Sequence, residues 1–268
     1  MLSKCEIASY ERDGFLFPKR VLDDAEAEAC RNKLEKYISH FGEEARGAGP
    51  MTKRAHIVLR WAAELMRQPA IVDAVENIIG PDIMCWSSAI FTKEANSGRF
   101  VSWHQDASYW GLSNSKVVSA WVALTPASAA NGCLRLLPGS HRKLEDHEDV
   151  EDGDNMLSRG QTIAATIDEQ SAVDVNLLPG EYALFHVNMA HASYPNRSAS
   201  DRIGFVFRYV AGDVYQMKSE HDSASLIRGR DLTGFFEHEP IPKHDLDPSC
   251  LAFHERVCGA RQKVYYSG

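Results

Sequence analysis

Residues 177–210, LLPGEYALFHVNMAHASYPNRSASDRIGFVFRYV, carry the pattern from which the fold of this chain is read. A turn leads into an apolar strand over 177–187, and a second short strand begins at His191. A polar turn over 195–200 follows, and an apolar strand returns over 202–210, so the pattern predicts a hairpin that carries Arg202 back towards His191 and Ser193. The same texture extends upstream to Asp82, in IMCWSSAIF, VVSAWVALT, GCLRLLPGS and AVDVNLL, each bounded by Gly, Pro, Asn or Ser. Short strands at this spacing predict a β-sandwich or barrel.

Ahead of that core, residues 14–21 read as an extended piece. Asp23 or Asp24 then caps a helix through AEAEACRNKLEKYI, with acids early and lysines late, as the helix dipole favours. A second helix is predicted over 70–79, stopped by Gly80-Pro81. Residues 43–50 read as a mobile loop and residues 145–156 as an exposed acidic insertion; either is a candidate lid. The last forty residues show no clear period and read as a lid or covering segment. The expectation is one α+β, mainly β domain over 1–268, with a helical N-terminal segment over residues 1–81, a β core of about 82–212 and a covering segment 213–268.

The 268 residues are 44% hydrophobic and 25% charged, enough apolar content for an ordinary buried core. A net charge of -8 argues against a general nucleic-acid or anionic-membrane surface, but not against a local arginine pocket. The six cysteines form no CxxC pair and none stands near a histidine at zinc-finger spacing, which reads as scattered reduced thiols in a cytoplasmic protein. The N-terminal MLSKCEIASYERDGFLF lacks the apolar core of a signal peptide, and no run of about 18 apolar residues exists to span a membrane.

Chemistry concentrates in Trp103-His104-Gln105-Asp106. In extended chain, residues i and i+2 share a face, so His104 and Asp106 could reach one ion while Trp103 and Gln105 point away. Imidazole and carboxylate together suit non-haem Fe(II), whose two-histidine, one-carboxylate triad leaves coordination positions open. The third ligand is His186 or His191, and the return of Arg202 beside His191 favours the latter; His186 otherwise reads as a half-buried histidine bonded within the sheet. The planar fork of Arg202 suits a carboxylate, with the Ser193 hydroxyl beside it, whereas a surface ion pair with Asp201 or a glutamate is the simpler alternative.

The segments WHQDASYWGL, VVSAWVAL, NGCLRLLPGSHR and 177–210 together resemble the phytanoyl-CoA dioxygenase family of Fe(II)/2-oxoglutarate oxygenases. The resemblance implies a double-stranded β-helix (jelly-roll, cupin-like) core with flanking helices, and His104, Asp106 and His191 as iron ligands. It implies that Arg202 holds the distal carboxylate of 2-oxoglutarate with help from Ser193, that Trp121 lines that pocket, and that His141 belongs to scaffold. The reagents would be Fe(II), 2-oxoglutarate and O2, and an unactivated C–H bond would be hydroxylated with release of succinate and CO2. Halogenating relatives lack the metal carboxylate, so Asp106 favours hydroxylation.

For the substrate, Gln105, Tyr109 and Trp110 flank the motif and could face the pocket mouth. Arg54, Arg60, Arg208, Tyr215 and Arg228 could recognise an anion. A 2-aminoethylphosphonate-type compound is the leading specific reading. The alternatives are another small metabolite (amino acid, natural product or acyl-CoA), with desaturation or cyclisation open, and a non-catalytic jelly-roll binding protein. The expected partner is a small molecule, with neither nucleic acid nor membrane; the sequence does not specify an oligomeric state.

Overall fold

The computed structural model describes residues 1–265. Its elements run α1 (Lys4–Asp13), β1 (Phe15–Arg20), α2 (Asp24–Phe41), α3 (Arg60–Leu65), α4 (Pro69–Ile79), β2 (Ile83–Lys93), β3 (Val101–His104), α5 (Ala107–Trp110), β4 (Val117–Ala123), β5 (Arg135–Leu136), β6 (His147–Asp149), β7 (Gln161–Ile163), β8 (Val173–Asp174), β9 (Glu181–His186), β10 (His191–Ser193), β11 (Arg202–Ala211), β12 (Asp222–Arg228), β13 (Phe236–His238) and α6 (Pro248–Tyr265). Asp23, not Asp24, caps α2, in a reciprocal capping box with Glu26. Pro69 opens α4 and Gly80 closes it, at φ 93°.

A seven-stranded sheet in the order β1-β9-β4-β11-β2-β12-β13 is accompanied by a four-stranded sheet, β3-β10-β5-β8, and a β6-β7 ribbon. Side-chain alternation explains how the large sheet is buried on both faces. Along β11, Ile203, Phe205, Phe207 and Tyr209 join the core shared with the helices, whereas Val206 belongs to a second core that includes Leu134, Leu136 and Met189 of the small-sheet side. β4 divides likewise, with Val118, Ala120 and Val122 on the helix side and Trp121 and Ala123 on the other. The functional face of β11 therefore carries Arg202, Gly204, Val206 and Arg208, at alternate positions along the strand.

Several expectations are corrected. β10 does not form a hairpin with β11; it pairs with β3 and β5 in the small sheet, so the polar turn crosses between sheets and brings Arg202 near Ser193 from the opposite layer. Residues 43–50 are organised by short 3-10 turns at Gly42–Ala45 and Pro50–Thr52. The acidic insertion is partly the β6-β7 ribbon. The covering segment contains β12, β13 and the 18-residue helix α6, and its last three residues lie outside those described. α1 and α3 carry no strong apolar period and went unforeseen. Among the described residues no helix is long and apolar enough to cross a membrane.

A buried ionic network ties the C-terminal strands to the core. Arg54, held at φ 51°, donates to Asp222 at 2.9 Å and to Glu239 and Ser223. Glu239 also meets His56 Nε2 at 2.8 Å and accepts from Ser225 at 2.7 Å. A left-handed arginine persists only where its surroundings fix it, and these bonds do so.

Candidate metal centre

β3 ends at His104, which lies opposite His191 of β10 with ring centroids 4.0 Å apart. Asp106 does not continue the strand. It sits at φ −56°, ψ −36° as the N-cap of α5, so the carboxylate reaches the imidazoles through a strand-to-helix turn and not through simple alternation. Its oxygens lie 3.6 Å from His104 Nε2 and 3.9 Å from His191 Nε2. These separations are too long for hydrogen bonds, so the three donor atoms face a common space. His104, Asp106 and His191 are buried, and their ligand atoms all fall within 4.8 Å of one another.

Each histidine is locked in one tautomer. His104 Nδ1 meets the carbonyl of Ser102 at 2.9 Å and His191 Nδ1 that of Met189 at 2.8 Å. A carbonyl only accepts, so both Nδ1 atoms carry a proton, and Nε2 is the ring atom each histidine presents towards Asp106. Burial and the neighbouring His104 push the His191 imidazolium down to about 4, leaving a neutral donor at physiological pH. Burial opposes ionisation of Asp106, but His104, His191 and Arg208 outweigh it and hold the carboxyl below its ordinary range. Two imidazoles and one carboxylate, with no thiolate, are the donor set of a non-haem iron site and not of a closed structural zinc site.

Beside the triad, Arg202 is 3% exposed and its Nε has no hydrogen-bond partner among the described residues. Asp201 accepts instead from the Ala95 amide, which removes the surface-pair alternative. The Arg202 guanidinium lies 5.2 Å from the Trp121 ring, and burial pushes it down to about 10. A Cβ at Gly204 would stand 2.0 Å from the Trp121 indole, so no larger residue fits under that ring. A buried cation with no carboxylate fits an anionic ligand. Ser193 is buried in the same cavity of about 790 Å³, which His104, Asp106, His191, Arg202 and Trp121 also line.

The other expected residues sort by geometry. Tyr109 and Trp110 line the cavity. Gln105 does not: it is fully buried, its amide donates to Lys143 O and Asn188 O at 2.7 Å each, and its carbonyl accepts from the Glu145 amide. It clamps the loop behind the triad. His186 accepts from the Asn188 amide and packs against His141, away from the metal ligands. Arg60 pairs with Glu64, Arg228 pairs with Asp73 and Glu76, and Arg54 belongs to the buried network. Tyr215 is 44% exposed and stands outside the cavity wall; Arg54 and Arg208 both line the cavity, Arg54 with its guanidinium engaged in the buried network and Arg208 on β11 in line with Arg202.

Lys93 was not foreseen. It lies opposite Arg202 in the sheet, and its Nζ donates to the carbonyls of Ser193, at 3.2 Å, and Tyr194, bracing the strand that carries Ser193. Burial and then Arg202 push its ammonium down to about 7. Because the native pKa is depressed, the unfolded state holds more protons above pH 7, and this group makes the fold more stable as pH rises towards the ordinary lysine value. Wild-type stability relative to Lys93→Met is expected to increase between pH 7 and 10 in chemical denaturation. A pH-independent difference would contradict the buried-cation assignment.

Residues 10–204 match the family model described as phytanoyl-CoA dioxygenase (PhyH). The chain belongs to the phytanoyl-CoA dioxygenase family. It is an Fe(II)/2-oxoglutarate-type oxygenase by that membership, and Fe(II), 2-oxoglutarate and O2 are the reagents its donor set fits. It is 30% identical over 244 residues to the peroxisomal phytanoyl-CoA dioxygenase of Bos taurus, covering 81% of this chain and 71% of that protein. It is 26% identical over 262 residues to the ectoine dioxygenase of Halomonas elongata, covering 89% and 77%. A solved structure described as a non-heme monooxygenase, ThoJ in its apo form, superposes with a TM-score of 0.85 at 37% identity over 97% of each chain.

Proposed function

We propose that the protein hydroxylates an unactivated C–H bond of a small-molecule substrate. His104, Asp106 and His191 hold Fe(II), Arg202 with Ser193 binds the distal carboxylate of 2-oxoglutarate, and Trp121 walls that subsite. The observation that carries this reading is the shared cavity: three buried donors face one space beside a buried guanidinium that meets no carboxylate among the described residues. When bound, the iron with 2-oxoglutarate supplies O2 activation and C–H oxidation, with succinate and CO2 as co-products. The chain's own residues supply preorganisation. The Ser102 and Met189 carbonyls fix the imidazole rings, Gln105 fixes the turn that aims Asp106, and the aromatic walls exclude water. The Asp106 carboxylate occupies the position that halide would need, which supports hydroxylation over halogenation.

The two facing sheets support a jelly-roll core within a single catalytic domain, and the free cysteines suit a cytoplasmic setting. On substrate, a 2-aminoethylphosphonate-type compound remains a reading from sequence resemblance. The 790 Å³ cavity falls within the range of roughly 300–1,000 Å³ that encloses small ligands, and it has room for 2-oxoglutarate together with a substrate.

Anaerobic titration with Fe(II) and 2-oxoglutarate tests the assignment, with a weak visible charge-transfer band expected only when both are present. No band from folded protein would overturn it. Arg202→Ala is expected to raise the 2-oxoglutarate half-saturation roughly ten- to a hundredfold, the loss of charge-assisted hydrogen bonds worth about 1.5–3 kcal/mol. An unchanged half-saturation would remove Arg202 from the subsite.

A further inference from the structure

The cavity extends past the 2-oxoglutarate subsite along the functional face of β11 and ends against α5. There Arg208 stands beside Ser119, its direct cross-strand neighbour on β4, and both line the cavity. The Arg208 guanidinium lies 5.0 Å from the Trp110 ring, which fixes its plane, and Trp110 in turn packs on Trp86 with centroids 5.2 Å apart. Ser119 is fully buried, yet its hydroxyl has no hydrogen-bond partner among the described residues. The hydroxyl of Tyr109, on the same wall, likewise has none. A buried hydroxyl left unpaired costs stability unless something else satisfies it. Ser119 Oγ beside a guanidinium offers donors to one acceptor. Lys218 extends the positive wall, its Nζ donating to the Tyr109 carbonyl at 2.7 Å. The protein as a whole carries -8, so this positive wall is a local departure.

We infer that Arg208 and Ser119 form a subsite for an oxyanion of the substrate, and that the substrate is an organic anion whose apolar body packs against Trp86 and Trp110. The inference rests on the oxygenase reading of the cavity and names its substrate class. Arg208, Asp106 and His191 line the same cavity, so an anion held there shares the space that the three donors face. Guanidinium plus hydroxyl selects carboxylate or phosphonate over amide or ammonium, because the guanidinium only donates and the hydroxyl is free to donate alongside it.

The test uses protein loaded anaerobically with Fe(II) and 2-oxoglutarate and calorimetric titration with paired probes: arylalkyl carboxylates of increasing length, a matching phosphonate, and the corresponding neutral amides. The acids are expected to bind at least tenfold more tightly than their amides. Arg208→Gln is expected to abolish that preference while the charge-transfer band with 2-oxoglutarate persists, and Ser119→Ala to weaken the acids several-fold. The persisting band also shows that the variants fold. Equal binding of acids and amides across the set, or an acid preference that survives Arg208→Gln, overturns the inference. So does a preference lost only in Arg202→Gln, which would place the probe in the co-substrate subsite. Failure of the oxygenase reading is distinct: wild-type protein would then give no band at all.

Discussion

Replacing Asp106 with alanine is expected to reduce 2-oxoglutarate-dependent turnover by more than about a hundredfold, since even partners outside the ligand shell typically cost 10- to 100-fold. The variant leaves the two Nε2 atoms and removes the one anion facing them. Iron content after anaerobic loading should fall in parallel, and the charge-transfer band should vanish. The apoprotein should lose some thermal stability at neutral pH, because His104, His191 and Arg208 outweigh burial and favour the charged carboxylate in the folded state. Retained turnover, or metal binding at wild-type affinity, would remove Asp106 from the triad. Asp106→Asn makes the sharper comparison. It keeps size and one oxygen while removing the charge, so a loss nearly as deep would assign the effect to charge and not to packing.

Glu239→Ala is expected to destabilise the fold by about 3–5 kcal/mol, the usual consequence of breaking a buried ion pair from one side. The Glu239 side chain is 0% exposed, and Arg54, 1% exposed, would be left with Asp222 as its remaining carboxylate. His56, Ser223 and Ser225 would each lose a partner. At about 2–4 °C per kcal/mol for a domain of this size, the melting temperature should drop by roughly 10 °C. A drop below about 3 °C would show that the network rearranges or hydrates. Burial alone would raise the Glu239 pKa, but Arg54 and His56 more than offset it and bring the carboxyl down to about 2. Its contribution is therefore complete above the ordinary glutamate pKa and is lost as pH falls towards 2. An exposed pair such as Arg12–Asp13 should show no comparable effect on truncation.

Strands buried on both faces, β4 and β11, announce themselves as near-continuous apolar runs, and the α2 cap is spelled by Asp23 and Glu26. The clustering of His104, Asp106 and His191 was legible because these residues lie in two short motifs. Gln105 was offered for the pocket mouth only because it flanks the motif, and its burial against Lys143, Asn188 and Glu145 rests on contacts distant in sequence. The false hairpin has a similar origin: adjacency in sequence does not reveal that β10 and β11 belong to different sheets. Arg208 could have been separated from Arg60 and Arg228 beforehand, because it shares the parity of Arg202 along one strand. Lys93, Ser119 and the Arg54 network depend on contacts distant in sequence, which no local pattern encodes.

The walls of the cavity come from two kinds of chain. The triad, Trp121, Arg202 and Arg208 stand on or directly beside the strands, whereas the rim is contributed by residues 44–54, 156–161 and 251–259. The last of these lies on α6, beyond the span that matches the family model. Admission and charge preference are thus held by different parts of the chain: the three stretches shape the entrance, whereas Arg208 and Ser119 stand on the strands. For an engineer, libraries in the three stretches should change which molecular bodies are admitted while the preference for an anion stays with the strands.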